Sequence, residues 1–176
     1  MKKSFLLFFV AIAISLTSCD WFLQGESDHS PEIYTSFFYV NPVFSGDTII
    51  YAKDTLYLSA TDTEGQYRVD SLSLGDTVWF AATFYSYEKD LTGITAKWDT
   101  TLMDFSFHLT ELITRHLADG SNIDEGHLYF NPGFNRVSFP CSFTAKTYGI
   151  LPLKLTVAST SEFSPSSVYM TIPVKK

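Results

Sequence analysis

Residues 77–87, TVWFAATFYSY, decide the fold class. The even positions Val78, Phe80, Ala82 and Phe84 are all apolar. The odd positions carry Trp79, Ala81, Thr83, Tyr85 and Tyr87. In a strand, successive side chains point to opposite faces, so this alternation predicts one face in a core and a second, aromatic face turned away from it. The β-branched and aromatic content suits a pleated, half-buried surface.

The same period of two recurs on both sides of this stretch. Leu56, Leu58 and Ala60 alternate, as do Met103, Phe105, Phe107 and Leu109. Val137, Phe139, Cys141 and Phe143 follow, then Leu151, Leu153, Leu155 and Val157, and finally Val168, Met170, Ile172 and Val174. Turn residues punctuate these runs at Ser45-Gly46-Asp47, Glu64-Gly65, Leu74-Gly75-Asp76, Asp119-Gly120 and Asn131-Pro132-Gly133. Seven to nine short antiparallel strands are expected, forming a single immunoglobulin-like β-sandwich over residues 33–176. Pro140, Pro152 and Pro173 stand on the opposite parity to the apolar set of their strands. A proline cannot donate to a ladder, which predicts edge strands or bulges there. The parity turns Cys141 inward as a small buried hydrophobe. One segment departs from the period. Leu109, Leu112, Ile113, His116 and Leu117 are spaced i, i+3, i+4, i+7, i+8, which predicts one short helix, Thr110 to Ala118, in a crossover between strands.

The N-terminal residues carry an address. Lys2 and Lys3 precede an apolar run from Phe5 to Leu16, interrupted only by Ser15. Twelve helical residues reach about 18 Å against a hydrocarbon core of about 30 Å, which fits a signal peptide (residues 1–18) and not a membrane span. Leu16-Thr17-Ser18-Cys19 resembles a lipobox, and bulky Leu16 is unsuited to general signal peptidase. The resemblance implies a thioether diacylglycerol on Cys19, with residues 19–32 as a polar tether between lipid and domain. Cys141 would then be the only thiol left, so no internal disulfide is expected. Loss of Lys2 and Lys3 leaves 10 basic against 19 acidic residues, a balance of −9. Such a surface repels nucleic acid, and no basic stripe offsets it.

Chemistry-bearing constellations are sparse. His29, His108, His116 and His127 lack the close local pairs that signal zinc, and scattered histidines are the expected reading. The oxygen-rich loop from Asp119 through Asp124 and Glu125 to His127 invites calcium, but Ile123 stands where an oxygen ligand belongs and no glutamate ends the loop. The serines sit in turns with no evident histidine to take a proton, and no nucleophile elbow or phosphate-binding glycine loop is present. The expectation is a non-enzyme with no metal or cofactor.

The outward row of Trp79, Tyr85 and Tyr87 offers a candidate ligand-binding face, with Tyr51, Tyr57 and Trp98 as extensions. Exposed rings on a sheet stack against the apolar faces of sugars. Alternatively, the helix or a long loop covers these rings and makes a second small core. The lipobox, the tether and the β domain together look like the small lipoproteins of Bacteroidota. That resemblance implies a cell-envelope location, in the outer membrane on its periplasmic or surface side, and partners among envelope proteins or glycans. The leading expectation is a lipid-anchored structural or protein-interaction module. The alternatives are a glycan-binding accessory lipoprotein and a fimbrial subunit completed through an exposed strand edge.

Overall fold

Residues 78, 80, 82 and 84 are all buried in β8 (Thr77–Tyr85), and the residues between them are all half-buried. β8 is central to a five-stranded sheet in the order β10-β12-β8-β1-β4, formed with β10 (Met103–Phe107), β12 (Arg136–Ala145), β1 (Glu32–Val40) and β4 (Asp54–Leu56). The facing sheet runs β11-β9-β13-β14-β6-β5. Its strands are β11 (His127–Tyr129), β9 (Leu91–Trp98), β13 (Gly149–Ser159), β14 (Ser166–Lys175), β6 (Gln66–Val69) and β5 (Leu58–Ala60). β7 (Leu72–Ser73) adds to β14, and β2 (Val43–Ser45) pairs with β3 (Thr48–Tyr51) as a separate hairpin. This computed structural model describes residues 29–61, 63 and 65–176. Cys19, the signal segment and the tether up to residue 28 lie outside the described residues. Among the described residues no helix is long and apolar enough to cross a membrane.

The two sheets pack as an all-β sandwich. The orders β1-β8-β12-β10 and β9-β13-β14 reproduce the A-B-E-D and C-F-G arrangement of immunoglobulin-like domains. From one sheet Phe80, Phe84, Phe139 and Phe143 enter the core, with Phe84 on Phe139 at 5.5 Å between ring centroids. From the other come Leu151, Leu153, Leu155, Met170 and Ile172, none more than 1% exposed. Cys141 is fully buried and its thiol is free.

Several expectations need correction. Among the described residues there are fourteen strands, because residues 43–73 form six pieces too short to show a period. Leu56, Leu58 and Ala60 do not share a strand. The chain changes sheets at Tyr57, where Asp70 accepts from the Tyr57 N–H at 3.1 Å, and Ala60 ends exposed. β6 and β7 run parallel to β14, not antiparallel. Pro31 is buried and β1 starts at Glu32.

The proline strands are interior, not edges. Each proline nevertheless falls where one flanking strand has stopped. Pro140 lies past the last β10 pair, Phe107 with Cys141, and its carbonyl accepts from the His108 N–H just beyond β10. Pro152 lies one residue past the last β9 pair, Leu153 with Trp98. Pro173 falls in the gap between the β6 and β7 pairings on β14. A missing donor is tolerated there, so a strand can be an edge at one residue only.

The helix is a single turn. α1 (Glu111–Thr114) is N-capped by Thr110 and buries Ile113 in the shared core between the sheets. The expected continuation to Ala118 is lost, because Leu117 bridges to Phe130 and the Ala118 N–H donates to the Tyr129 carbonyl. Pairing with β11's extension replaces the next helical turn, and His116 packs its ring on Phe134 at 4.6 Å instead of facing the core.

Candidate functional site

The outer face of the five-stranded sheet holds the predicted aromatic row, but in two groups. Trp79 and Tyr85 stand at opposite ends of β8, about 20 Å apart at about 3.3 Å per residue. Small Ala81 and Thr83 separate them, and Thr83 shares a 2.8 Å hydroxyl contact with Ser138. Tyr87 lies past the strand end at φ 27°, where alternation no longer applies. The structure therefore brings Tyr85 and Tyr87 together, at 4.8 Å between rings, and sets Trp79 apart. Trp98 turns toward the core and packs on Phe105, Tyr51 is exposed on the hairpin, and Tyr57 is exposed at the sheet crossing.

At the Trp79 end the covering element is the β2–β3 hairpin. Phe44 meets the indole edge-on at 4.9 Å, while His108 stacks flat against it at 3.9 Å and 17°. The helix takes no part. An open groove of about 270 Å³ remains between hairpin and sheet, walled by Phe37, Tyr39, Phe44, Ile49 and Trp79, with Asp47 as the charged lining residue.

A backbone irregularity builds one wall of it. Ser36 pairs with Ala81 and Tyr39 with Trp79, so Phe37 and Phe38 together oppose Phe80. This bulge puts Phe38 in the core at 2% exposure and leaves Phe37 65% exposed, its ring parallel to Tyr39. Phe37 has φ 60°, a conformation that costs a bulky residue on the order of 1–3 kcal/mol. Bulges that re-aim a side chain are concentrated at sheet edges and functional sites.

The hairpin is fastened at its base. Asp76, 7% exposed, accepts from Asn41 Nδ2 at 2.7 Å, Lys53 Nζ at 2.8 Å and the Ser73 N–H at 3.1 Å. Asn41 in turn accepts from the Thr77 N–H through its side-chain oxygen. The segment carrying β2 and β3 thus leaves and re-enters the sheet through residues held by one carboxylate. Burial pushes the Asp76 carboxyl up, but Lys53, the Ser73 N–H and Asn41 together outweigh it and hold it below the ordinary value.

Register also creates a pair that the sequence reading missed. His108 Nε2 lies 2.8 Å from Ser142 Oγ, 34 positions away, so one serine does have a histidine beside it. Burial lowers the His108 pKa, favouring the neutral ring. No signal short of knowing that β10 pairs with β12 could have found this. Acyl transfer also needs an orienting group on the other ring nitrogen and donors aimed at an oxyanion. Among the described residues His108 makes no other hydrogen bond to a side chain.

At the far end, the Tyr34 and Tyr87 hydroxyls both donate to Glu32, and this contact raises the Tyr87 pKa ahead of burial. His29 packs on Tyr87 at 4.7 Å, and its carbonyl accepts from Ser161 Oγ at 2.8 Å. Tyr34, Thr83, Tyr85 and Arg136 border a smaller recess of about 190 Å³. The four histidines are dispersed, and among the described residues no three His, Cys, Asp or Glu side chains are placed to hold a metal ion. Burial drives the Cys141 pKa far above that of a free thiol.

No family model matches the sequence, and no curated protein does. Among solved structures the chain is similar to a family 123 glycoside hydrolase from Clostridium perfringens, at 10% identity and TM-score 0.39 over 63% of this chain and 23% of that one. It is also similar to domains 4 and 5 of the S-layer protein SbsC, at 16% identity and TM-score 0.33 over 73% and 50%. A third similarity is to the secreted serine protease VesC from Vibrio cholerae, at 13% identity and TM-score 0.30 over 59% and 21%. The chain spans half the length or less of each of these three.

Proposed function

We propose that this chain is a non-catalytic protein-interaction module of the cell envelope, held there by a lipid on Cys19, and that the hairpin groove is its binding surface. The observation that carries the reading is Phe37. Its strained backbone holds a mostly exposed aromatic ring beside Tyr39, Phe44 and Trp79, so the fold gains little burial for the strain. The groove also lies at the far end of β1 from the point where the chain enters the domain. The chain enters β1 at Glu32, and Tyr39 lies about 23 Å further along the strand. If the domain is anchored through Cys19, that separation favours a groove that meets protein partners.

The test is a photo-crosslinking side chain placed at position 44 in intact cells, with position 148 as the control. A discrete adduct from position 44, lost with Phe37→Ser, supports the reading. No adduct, or the same adducts from both positions, overturns it.

One observation favours a second reading. The recess at the other end sets Tyr34 and Tyr85 beside the Thr83 hydroxyl and Arg136, a combination of ring and polar groups that suits a sugar. Titration with an oligosaccharide panel should then shift resonances around Tyr85 and do nothing to Tyr85→Ala. No shifts in the wild type remove this reading.

A further inference from the structure

The groove's lining contains a group that an apolar partner would leave stranded. Asp47, on the turn joining β2 to β3, is exposed, and it has no ion-pair or hydrogen-bond partner for its carboxylate among the described residues. Two other acids of this sheet and its turns are matched to lysines. Asp76 has Lys53, and Asp104 has Lys146 at 2.6 Å. An occupant filling the groove displaces water from Asp47, and a neutral one puts nothing in its place. The remaining walls are aromatic or aliphatic, and ring faces attract cations. The domain already makes one such contact elsewhere, with Lys154 Nζ 4.7 Å from the Tyr169 ring centre. His108, beneath Trp79, is largely uncharged at neutral pH and so sets no competing positive charge there.

We infer that the groove is a cation-recognition site that takes a lysine or arginine side chain from a partner protein. The apolar stem lies along Phe37 and Ile49, and the charged head reaches Asp47 beside the rings of Phe44 and Trp79. Such side chains keep their stems on apolar surface and their heads in water or on a counter-charge, and the groove offers both kinds of lining. The acidic balance of the chain also steers basic segments toward it. This assignment rests on the groove being the interaction surface and specifies the chemistry of its partner.

The test uses nuclear magnetic resonance titration of the domain with two capped tripeptides, glycine-lysine-glycine and glycine-norleucine-glycine, at matched ionic strength. The two probes differ essentially by the ammonium group. The lysine peptide is expected to shift the Phe37 and Phe44 amides and the Trp79 indole N–H, and to bind at least about 5-fold more tightly than the norleucine peptide. Asp47→Asn, a conservative change on an exposed turn, should erase that difference, and Asp47→Lys should abolish lysine binding while leaving norleucine binding intact. Equal or tighter binding of norleucine, or lysine binding indifferent to Asp47→Asn, overturns the cation assignment and leaves an apolar interaction groove standing. Silence of the groove toward both peptides overturns it too. In that case crosslinks from position 44 decide separately whether the interaction reading survives.

Discussion

Replacing Asp76 with alanine removes the acceptor that three donors share. Asn41 Nδ2, the Ser73 N–H and the Lys53 ammonium all lose a charged partner. A hydrogen bond to a charged group contributes about 1.5–3 kcal/mol. The three are not additive, and Lys53, with half its side chain exposed, regains water readily. A loss of about 3 kcal/mol follows, within a range of about 2–4. For a domain of this size that lowers Tm by roughly 6–12 °C. Urea unfolding across pH separates this carboxylate from other groups. Its native pKa lies below the ordinary 3.8, so the unfolded chain takes the proton first. Its contribution is therefore fully present above pH 3.8 and is lost as pH falls through the native value. His108 acts in the same direction in a higher window. Its pKa is depressed from 6.5 by burial, so stability falls as pH drops below 6.5 toward the native value. Asp99, held down mainly by Thr101, shares the acidic window. The wild type should show both declines, whereas Asp76→Asn keeps the upper one and flattens part of the lower. Stability of Asp76→Ala within about 0.5 kcal/mol of wild type at pH 7, a change typical of an ordinary surface site, would refute the role given to this carboxylate.

Phe37→Gly should stay within about 1 kcal/mol of wild type by urea unfolding, since relief of the positive φ offsets the added chain entropy, while groove crosslinking falls. Phe38→Gly, one residue on and buried, should lose more than about 3 kcal/mol by the same measurement. Gly126→Ala would place a Cβ 2.6 Å from the Trp98 ring and 2.7 Å from the Ala96 carbonyl, at φ +77°. It should cost about 2–5 kcal/mol, read as a fall in Tm. Cys141 should resist a thiol reagent in the folded protein and react at full stoichiometry in denaturant, because burial both hides it and disfavours the thiolate. Rapid native labelling at neutral pH would contradict the placement of β12.

The inward faces of β8, β12, β13 and β14 are legible in the sequence, because alternation is a local property. Val78 to Phe84 and Val137 to Phe143 needed only their own neighbours to declare which side is apolar. So was the inward turn of Cys141. The candidate site was legible only in fragments. Trp79 could be placed on the outer face, but whether the helix or the hairpin covered it could not, since residues 43–51 are too short to reveal a period. Phe37's place on the groove wall depends on a bulge, and nothing in SFFYV marks where the extra residue goes.

Sequence alone thus settled that this is a sandwich of sheets with an acidic surface, since side-chain period and charge need no partner to be read. Tertiary structure alone decided that Asn41, Lys53 and Asp76 converge, that His108 meets Ser142, and that Trp79 and Tyr85 belong to different clusters. Those outcomes follow from which strands become neighbours and in what register. That choice is made by burying all the apolar faces at once, and no window of sequence contains it.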